Sequence, residues 1–542
     1  MGNIFNKVCC AENNSSYTKQ TYDINYNTNH TDCSNVHTDS PSPEIRSLIE
    51  SNADIHSSPR TGMVSLSSSI NTSCQQNKND ISDMYIKVKN IGKGLFGNVI
   101  KVMHKKTAVV HSMKVLPKMN CKDIFTQNEI QNELNVITQL EHPYIIKTIS
   151  LYNDNDNYYV INEYCNEGDL SEKLLSSTYF DEAVVKDIMF QIFTALLYLH
   201  SHNIIHGDLK LENILIRSVS TNNENQTYNI KLIDYGYSKL FSQNNKQSED
   251  SISTTVYCSP EILINNYDEA SDVWACGVIM YLLLSGEFPF LGDTQSETTS
   301  KILKGEFSFD SKRFDDISME SKHLITQCLT FNKLKRISIK NALQHDFFMK
   351  GSNSSNIYTT IFQPDIKDVK YVLKAIMKGK NGNVLYNAVL NYLLDNYENH
   401  NEIDLINKTF LSVDCDMDGK ISRDEFSKAF ERCKIKCATQ EEVESIFERN
   451  DVNKSGYIEY EEFSRNALAN MEGLLCESNL KKAFDTFDIN KNGVITFNEL
   501  IEVIGNDNCD DDDYNTLKQN VFTNGIEGVT FEHFKEIMLG VS

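Results

Sequence analysis

The sequence predicts an α+β chain in which a bilobal domain precedes an all-α domain built from repeats. Alternating apolar residues typical of β-strands begin at Tyr85, and long helical periods replace them after Phe180. In the last third, acidic loops begin every 37 residues, at Asp414, Asp451 and Asp488. Equal spacing indicates duplicated units that pack on one another. A chain of 542 residues is also too long for a single hydrophobic core.

Composition limits the class of protein. The net charge of −23 argues against a nucleic-acid-binding protein, which would need a basic face. The fourteen cysteines are scattered without a Cys-x-x-Cys pair, as expected of reduced thiols in the cytoplasm. We find no secretory signal, and the longest apolar run, Val278–Leu284, is far too short to span a bilayer. We therefore expect a cytoplasmic protein in which that run is a buried helix.

Residues 1–82 form the first predicted unit. Residues 11–82 are rich in Asn, Ser, Thr and Asp without a sustained apolar period, a composition that predicts disorder. Residues 1–6 (Met-Gly-Asn-Ile-Phe-Asn) resemble an N-myristoylation signal, although Asn6 stands where Ser or Thr is favoured. Cys9 and Cys10 would supply the second, palmitoyl anchor that stable attachment requires. Two interpretations stay open: attachment through Gly2 and these cysteines to the inner face of a membrane, and a plain unanchored tail.

A glycine-rich loop and a strand lysine open the second unit, residues 83–348. Residues 92–99 (Gly-Lys-Gly-Leu-Phe-Gly-Asn-Val) let the backbone approach phosphate oxygens without side-chain clashes. This spacing alone is a weak signal, because it also occurs in dinucleotide-binding folds. A lysine in His-Ser-Met-Lys-Val follows on a strand, where it would hold the α- and β-phosphates and pair with Glu133. The predicted nucleotide contacts here are Gly92, Gly94, Gly97, Val99 and Lys114.

Residues 206–213 (His-Gly-Asp-Leu-Lys-Leu-Glu-Asn) match a phosphoryl-transfer loop. In this interpretation Asp208 accepts the proton of the substrate hydroxyl, Lys210 neutralises charge on the transferred phosphate, and Asn213 binds magnesium. Residues 234–236 (Asp-Tyr-Gly) add the second magnesium ligand, Asp234. A lysine two residues after the catalytic aspartate is typical of Ser/Thr kinases rather than tyrosine kinases.

Residues 349–400 form a junction with two predicted helices. Ile366, Val369, Leu373 and Ile376 lie at helical spacing, with lysines at 370, 374 and 378 beside them. A basic amphipathic helix is typical of calmodulin targets or membrane-surface segments. A second apolar stripe starts at residue 384. The alternative is an ordinary surface helix with solvated lysines; we favour a regulatory segment, because the repeats follow directly.

Residues 401–542 contain three loops with the ligand pattern of EF-hand calcium sites. Such a loop supplies oxygen atoms at positions 1, 3, 5, 7, 9 and 12 and turns sharply at a glycine in position 6. Each loop has Ile at position 8 and Phe four residues before its first ligand. Three full matches at one period argue against acidic turns without metal. The predicted ligands are Asp414, Asp416, Asp418, Lys420 by its carbonyl, Ser422 and Glu425; Asp451, Asn453, Ser455, Tyr457, Glu459 and Glu462; and Asp488, Asn490, Asn492, Val494, Thr496 and Glu499.

A fourth unit is expected, because EF-hands fold in pairs. Val529 fits position 8 and Phe534 fits the apolar position 13. This register puts Phe522 at position 1 and His533 at position 12, so the calcium ligands are missing. We predict a structural partner that binds no calcium and pairs with the third unit through Val529 and Ile495.

Together these motifs resemble the calcium-dependent protein kinases of plants and protist parasites, over all of the chain after the N-terminal unit. The resemblance implies a hinge whose Glu163 and Cys165 contact the nucleotide, with Asn162 at the gatekeeper position before it. It also implies structural roles for four residues outside the chemistry: an ion pair of Glu261 with Arg336, and anchoring of the catalytic loop by Asp272 and Trp274.

Three positions depart from the family pattern. Gly207 replaces the arginine that usually gathers an activation-loop phosphate, so phosphorylation there has less to pair with. Asn162 is a polar gatekeeper, and Tyr235 stands where the family usually has Phe. None of these changes removes a catalytic group.

The resemblance implies a calcium-activated Ser/Thr protein kinase that uses ATP, Mg²⁺ and Ca²⁺ and acts as a monomer. Asp169 and Glu212 match acidic positions that bind basic residues near the target hydroxyl, or they are plain surface carboxylates. The junction would hold the kinase inactive until calcium opens the repeats and exposes a groove for it. A calcium-responsive pseudokinase scaffold, motivated by Gly207 and Tyr235, and a calcium buffer with an incidental kinase domain are the alternatives.

Overall fold

The structure is a computed structural model and describes residues 81–94, 97–105, 107, 109–118, 134, 136–222, 225–235, 255–264, 268–349, 366–378, 384–395, 400–435, 439–471, 473–504 and 528–539. The predicted tail, its lipidation sites Gly2, Cys9 and Cys10, and the pairing residue Glu133 lie outside these ranges. The same holds for residues 236–254, which follow the Asp-Tyr-Gly motif, and for positions 1–6 of the fourth repeat.

The strand lobe is a five-stranded antiparallel sheet that follows a short helix α1 (Ile81–Met84). The strand order is β1-β2-β3-β5-β4. One face of the sheet packs around Val102, Met113 and Ile161. The strands are β1 (Tyr85–Gly94), β2 (Gly97–His104), β3 (Val110–Pro117), β4 (Thr148–Asn153) and β5 (Asn157–Glu163).

The helical lobe surrounds one apolar helix, α4, in which every residue from Ser271 to Ser285 is buried. Asp268 caps its first turn by accepting the Ala270 N–H at 3.0 Å, and Gly286 ends it at φ +75°. The predicted buried run 278–284 is therefore confirmed. The elements are α2 (Leu170–Ser177), α3 (Glu182–Ser201), β6 (Ile214–Asn222), β7 (Asn225–Leu232), α4 (Glu269–Ser285), α5 (Gln295–Lys304), α6 (Met319–Cys328), α7 (Ile339–Leu343) and α8 (Asp346–Met349).

Among the described helices, α3 is long and apolar enough to cross a membrane by length and composition alone. However, 67 % of that segment is buried inside the protein. It packs against α4 and β7 as a core helix of the helical lobe.

Both predicted junction helices are present, as α9 (Ile366–Met377) and α10 (Val384–Asp395). Val369, Leu373 and Ile376 are buried, as their spacing predicts, whereas Ile366 at the helix start is 64 % exposed. Helix α9 lies among three helices of the repeat domain, and α10 packs between its two halves. The junction is therefore embedded in the repeat domain.

In the part of the repeat domain that the structure describes, three helix–loop–helix units are present, together with the loop strand and the last helix of a fourth. A two-residue strand in each loop pairs with that of its neighbour: Ile421 with Ile458 in the first pair, and Ile495 with Val529 in the second. The predicted register of the fourth unit is thus confirmed at position 8. The elements are α11 (His400–Val413), β8 (Lys420–Ile421), α12 (Arg423–Arg432), α13 (Gln440–Asn450), β9 (Ile458–Glu459), α14 (Tyr460–Asn470), α15 (Glu477–Phe487), β10 (Val494–Ile495), α16 (Phe497–Ile504), β11 (Val529–Thr530) and α17 (Phe531–Leu539).

Candidate nucleotide, catalytic and calcium sites

The strand lobe and the helical lobe meet at an ion pair between Lys114 and Asp234. The Lys114 ammonium on β3 lies 2.6 Å from Asp234 Oδ1, and the lysine side chain is only 3 % exposed. Asp234 adopts φ +62°, an uncommon conformation for a residue with a side chain. Next to it, Tyr235 is buried and its hydroxyl donates to the Ile146 carbonyl at 3.2 Å. These contacts orient Asp234 toward the cleft.

The catalytic loop brings Asp208, Lys210 and Asn213 together. The Asn213 amide nitrogen donates to the backbone carbonyl of Asp208 at 2.7 Å and to its carboxylate at 3.1 Å. The Lys210 ammonium lies 3.3 Å from the same carboxylate. Asn213 Oδ1 is therefore the atom left to bind a cation, and the oxygens of Asn213 and Asp234 suit the hard donor set that Mg²⁺ requires.

Asp272, in the first turn of α4, holds the backbone of the catalytic loop. Its carboxylate accepts the N–H groups of His206 and Gly207, each at 2.9 Å, and the His200 ring at 2.8 Å. Gly207 adopts φ +75°, a region where an L side chain is strained. Gly207, which stands where the family usually has arginine, therefore avoids the backbone strain that a side chain would meet next to Asp208.

The structural pairings implied by the family resemblance are confirmed. Arg336 bonds both carboxylate oxygens of the buried Glu261, with Nη2 to Oε2 at 3.1 Å. Its guanidinium also lies 5.0 Å from the centre of the Trp274 ring, which is fully buried. A bidentate, buried pair of this kind holds the segment after the activation loop against α4.

Backbone geometry explains one glycine of the phosphate loop. Gly94 and Gly97 are paired where β1 and β2 meet, and a Cβ at Gly97 would lie 1.8 Å from the Val115 carbonyl oxygen. Only glycine fits there. Val99 pairs directly with Lys114 across β2 and β3, which places both at the same level of the sheet.

A cluster of charges fixes the hinge at Glu163. Its carboxylate accepts the Lys147 backbone N–H at 2.9 Å, pairs with the buried Lys231 at 2.9 Å, and is bonded by Arg217. Burial opposes ionisation, but the Lys231 and Arg217 cations hold the pKa of Glu163 at about 2. The hinge therefore keeps a fixed, charged anchor at physiological pH.

Each intact calcium loop has the backbone and side-chain arrangement that the ligand pattern predicts. The position-6 glycines adopt φ of +82°, +87° and +85°. In each loop the position-12 glutamate accepts backbone N–H groups from both ends of the loop, for example Cys415 at 2.7 Å and Ser422 at 2.9 Å for Glu425. The three phenylalanines before the loops, Phe410, Phe447 and Phe484, are buried.

The first loop concentrates negative charge. One carboxylate oxygen from each of Asp414, Asp416 and Asp418 lies within 4.8 Å of the others. Burial, and then the neighbouring Glu425 and Asp418 carboxylates, raise the pKa of Asp414 well above its usual value. A divalent cation would offset this repulsion, and an all-oxygen set of this size suits Ca²⁺.

The first calcium-loop pair contacts the kinase-like lobes directly. Glu461 lies between the predicted ligands Glu459 and Glu462, and its carboxylate bonds the Lys147 ammonium at 2.5 Å. Its backbone N–H donates to the Glu141 carboxylate at 3.2 Å. We call this contact, together with the one described next, the docking interface.

In the second part of the docking interface, the aromatic ring of Tyr198 packs against Gly419. A Cβ added to Gly419, at position 6 of the first loop, would lie 2.2 Å from Tyr198 Cε2 on α3. Tyr198 stacks on His142 with ring centres 5.1 Å apart, and its hydroxyl accepts the Glu141 N–H at 3.1 Å. Helix α11 packs beside β6 at the same face.

Two groups of residues at these sites were not predicted from the sequence. Ser112 and Thr148 lie on strands at the nucleotide cleft; the position of Ser112 two residues before Lys114 could have placed its hydroxyl on the cleft face. Lys147 and Glu461 meet from opposite ends of the chain, and neither carries a local pattern that predicts the contact.

Known protein families match the two lobes and the repeat domain separately. The profile of the family described as "Protein kinase domain" matches residues 85–348, "EF-hand domain pair" matches 403–468, and "EF hand domain" matches 479–506.

Several relatives match over both the kinase and the EF-hand regions. The chain is 31 % identical over 475 residues to calcium-dependent protein kinase 4 of Plasmodium berghei, covering 86 % of this chain and 88 % of that protein. It is 35 % identical over 390 residues to calcium-dependent protein kinase 5 of Plasmodium falciparum, covering 71 % and 65 %. It is also 31 % identical over 392 residues to calcium-dependent protein kinase 3 of Plasmodium berghei, covering 72 % and 67 %.

Proposed function

The chain belongs to the calcium-dependent protein kinases, and from this premise we propose how its residues divide the work. It is a calcium-activated protein kinase that transfers phosphate from ATP, with Mg²⁺ and Ca²⁺ as cofactors. The observation that carries the residue assignment is the convergence of Asp208, Lys210 and Asn213 on one loop, opposite the Lys114–Asp234 pair. A pseudokinase scaffold would be expected to lack groups needed for phosphate transfer. The sequence contains all of them: Lys114, Glu133, Asp208, Asn213 and Asp234.

In phosphate transfer, Asp208 orients the substrate hydroxyl and accepts its proton as the oxygen attacks the γ-phosphorus. Lys210, 3.3 Å from that carboxylate, balances negative charge on the transferred group. Asn213 and Asp234 are placed to hold Mg²⁺, which supplies charge neutralisation at the phosphates when bound. Lys114 holds the α- and β-phosphates under the glycine-rich loop.

We place the adenine base against the hinge. The 6-amino group of adenine is a donor and the neighbouring N1 is an acceptor. The Glu163 carbonyl and the Cys165 N–H provide the matching acceptor and donor. The Glu163 carbonyl is directed to the cleft, because the Ser112 hydroxyl, on the cleft face of β3, donates to it at 3.1 Å.

The substrates are proteins, and we propose that they carry basic residues near the target Ser or Thr. Asp169 caps α2 through the Glu172 N–H at 2.9 Å, and burial raises its pKa to about 6. Glu212 lies in the short turn Leu211–Asn213 of the catalytic loop. Both carboxylates therefore stand beside the catalytic elements, where charge complementarity favours a cationic peptide.

We propose that calcium moves the repeat domain between a resting contact that inhibits the kinase and the docking interface seen here. Support comes from the junction, because α9 packs against α11, α13 and α14 of the first loop pair, where a calcium-opened groove would hold it. The Glu461–Lys147 pair then joins a calcium loop to the lobe that holds ATP.

One assay tests the function: transfer of phosphate from ATP–Mg²⁺ to a basic Ser/Thr peptide, with and without calcium. The matched control is the same peptide with its basic residues replaced by alanine, which should be a poorer substrate. A second chain that ends at Phe348 should escape calcium control. It would be constantly active if the junction only blocks the cleft, and inactive if docking supports the active form. An unchanged calcium response would exclude both ideas.

We further propose a cytoplasmic monomer that can attach to the inner face of a membrane through acylated Gly2 and Cys9 or Cys10. The support is the sequence of the N-terminus alone. Incorporation of labelled myristate into the wild type and its loss in Gly2→Ala would test the attachment, and sedimentation would test the monomer.

A further inference from the structure

Three polar side chains stand side by side on the cleft face of the strand lobe. Ser112 on β3 and Thr148 on β4 are both direct partners of Asn162 on β5. Directly opposed residues of antiparallel strands share one face of the sheet. Ser112 is two residues before Lys114, so this face is the one from which Lys114 reaches Asp234. The row therefore lines the nucleotide cleft at its hinge end.

Hydrogen bonds fix the orientation of the Asn162 amide. The Thr148 hydroxyl donates to Asn162 Oδ1 at 2.9 Å. Thr148 is 6 % exposed, and the buried Tyr235, whose hydroxyl donates to the Ile146 carbonyl at 3.2 Å, lies beside it. The amide oxygen is thus engaged by protein. Within the described part of the chain, the amide nitrogen of Asn162 has no protein partner.

The order of polar groups on adenine matches the order of residues at the hinge. The 6-amino group is flanked by N1 on one side and by N7 on the other. If Cys165 meets N1 and Glu163 meets the 6-amino group, then N7 lies on the side away from Cys165, toward Asn162. An amide nitrogen is a donor and N7 is an acceptor, and asparagine reads this edge of adenine in protein–DNA complexes.

We propose that Asn162 binds the nucleotide directly, with its amide nitrogen donating to adenine N7, and that Thr148 and Tyr235 are positioning residues that aim this amide. The inference rests on the proposed placement of the base at Glu163 and Cys165. It joins two departures from the family pattern: Asn162 accepts the Thr148 hydroxyl proton, and Tyr235 bonds the carbonyl of Ile146, two residues before Thr148 on the same segment. Each is unexplained if taken separately.

The test compares ATP with 7-deaza-ATP, which keeps the 6-amino group and N1 but has a carbon in place of N7. The full-length protein is used at saturating calcium. The KM of each nucleotide is measured with a basic Ser/Thr peptide, and its dissociation constant by displacement of a fluorescent ATP analogue. We expect 7-deaza-ATP to bind the wild type roughly tenfold more weakly than ATP, the effect of one lost hydrogen bond at a desolvated site.

Variants assign the effect to Asn162. In Asn162→Leu, which has similar volume and no donor, the two nucleotides should bind equally. Thr148→Val and Tyr235→Phe should reduce the ratio of the 7-deaza-ATP dissociation constant to that of ATP, although Asn162 is still present. A purely structural role of Thr148 and Tyr235 would not change this ratio. Ser112→Ala is the matched control: it belongs to the same row but bonds Glu163, so the ratio should keep its wild-type value.

Equal binding of the two nucleotides by the wild type would overturn the proposal, and phosphate transfer from ATP in the same experiment would leave the kinase assignment intact. A tenfold ratio that persists in Asn162→Leu would show that another group reads N7. If no variant or wild type transferred phosphate, the proposed function would fail, and the displacement constants would still decide the role of Asn162. If Asn162→Leu did not fold, the wild-type ratio and the Thr148→Val ratio would decide it.

Discussion

Replacement of Gly419 by alanine should separate the calcium response of the repeat domain from the activity of the kinase. The added Cβ would lie 2.2 Å from Tyr198 Cε2, where ordinary contact begins at 3.4 Å. The ring has little freedom to retreat, because Tyr198 is only 3 % exposed and contacts the His142 and His202 rings, with ring centres 5.1 Å and 4.3 Å away. The first loop would therefore have to lift away from α3.

The size of the effect follows from two contributions. An alanine in the left-handed conformation costs about 1–2 kcal/mol, since Gly419 has φ +82°. Overpacking against a ring that cannot move costs a further amount of about 1–3 kcal/mol. The second contribution acts on docking alone, so the equilibrium constant for docking should fall by roughly 5- to 150-fold.

Gly456 provides the control, because it occupies the same position in the second loop with φ +87° and nothing within 4 Å of an added Cβ. Both Gly→Ala variants should weaken calcium binding to their own loop. Only Gly419→Ala should also lower the maximal activity at saturating calcium and speed amide hydrogen exchange at residues 141–147. If both variants reached the same maximal activity, docking against Tyr198 would not support catalysis.

Four further outcomes are expected. Asp208→Asn should lower phosphate transfer by about 10²–10⁴-fold, the usual contribution of a catalytic base, with unchanged calcium titration; substantial remaining activity would contradict the assigned role. Phosphatase-treated enzyme should keep its calcium response, because Gly207 cannot pair with a phosphate; a large loss would show that another cation gathers it. Titration calorimetry should count three calcium ions, and Glu462→Gln should remove one; a count of four would mean that the register of residues 522–533 is wrong. Finally, the KM for a basic peptide should rise as the pH falls through about 6, because Asp169 becomes neutral below its raised pKa; a peptide without basic residues should show no such rise.

The features predicted correctly from the sequence are those in which neighbouring residues carry the geometry. A calcium loop is twelve residues long, so ligand spacing determines its shape, and the same spacing placed Val529 opposite Ile495. Asp208 and Asn213 are five residues apart on one turn, which is why a motif could bring them together. Helical period predicted which residues of α9 are buried, apart from Ile366 at its exposed end.

The features that the sequence did not predict depend on contacts between distant segments. Lys147 and Glu461 are separated by 314 positions, and each is an ordinary surface charge within its own segment. Thr148 gains its importance only because β4 and β5 pair in a register that sets it against Asn162. A polar gatekeeper could be noticed in the sequence, but its partner could not.

The docking interface would also couple ATP binding in the kinase lobes to calcium binding in the repeat domain. Glu461 lies between two predicted calcium ligands and bonds Lys147, whose backbone N–H donates to the Glu163 carboxylate at the hinge at 2.9 Å. If calcium at the second loop strengthens the grip of the hinge on ATP, thermodynamic linkage requires ATP to strengthen calcium binding by the same factor. The calcium threshold of this protein would then depend on the nucleotide in its cleft. A cell with abundant ATP would respond to a smaller calcium pulse than a depleted one, with no change in the calcium loops themselves.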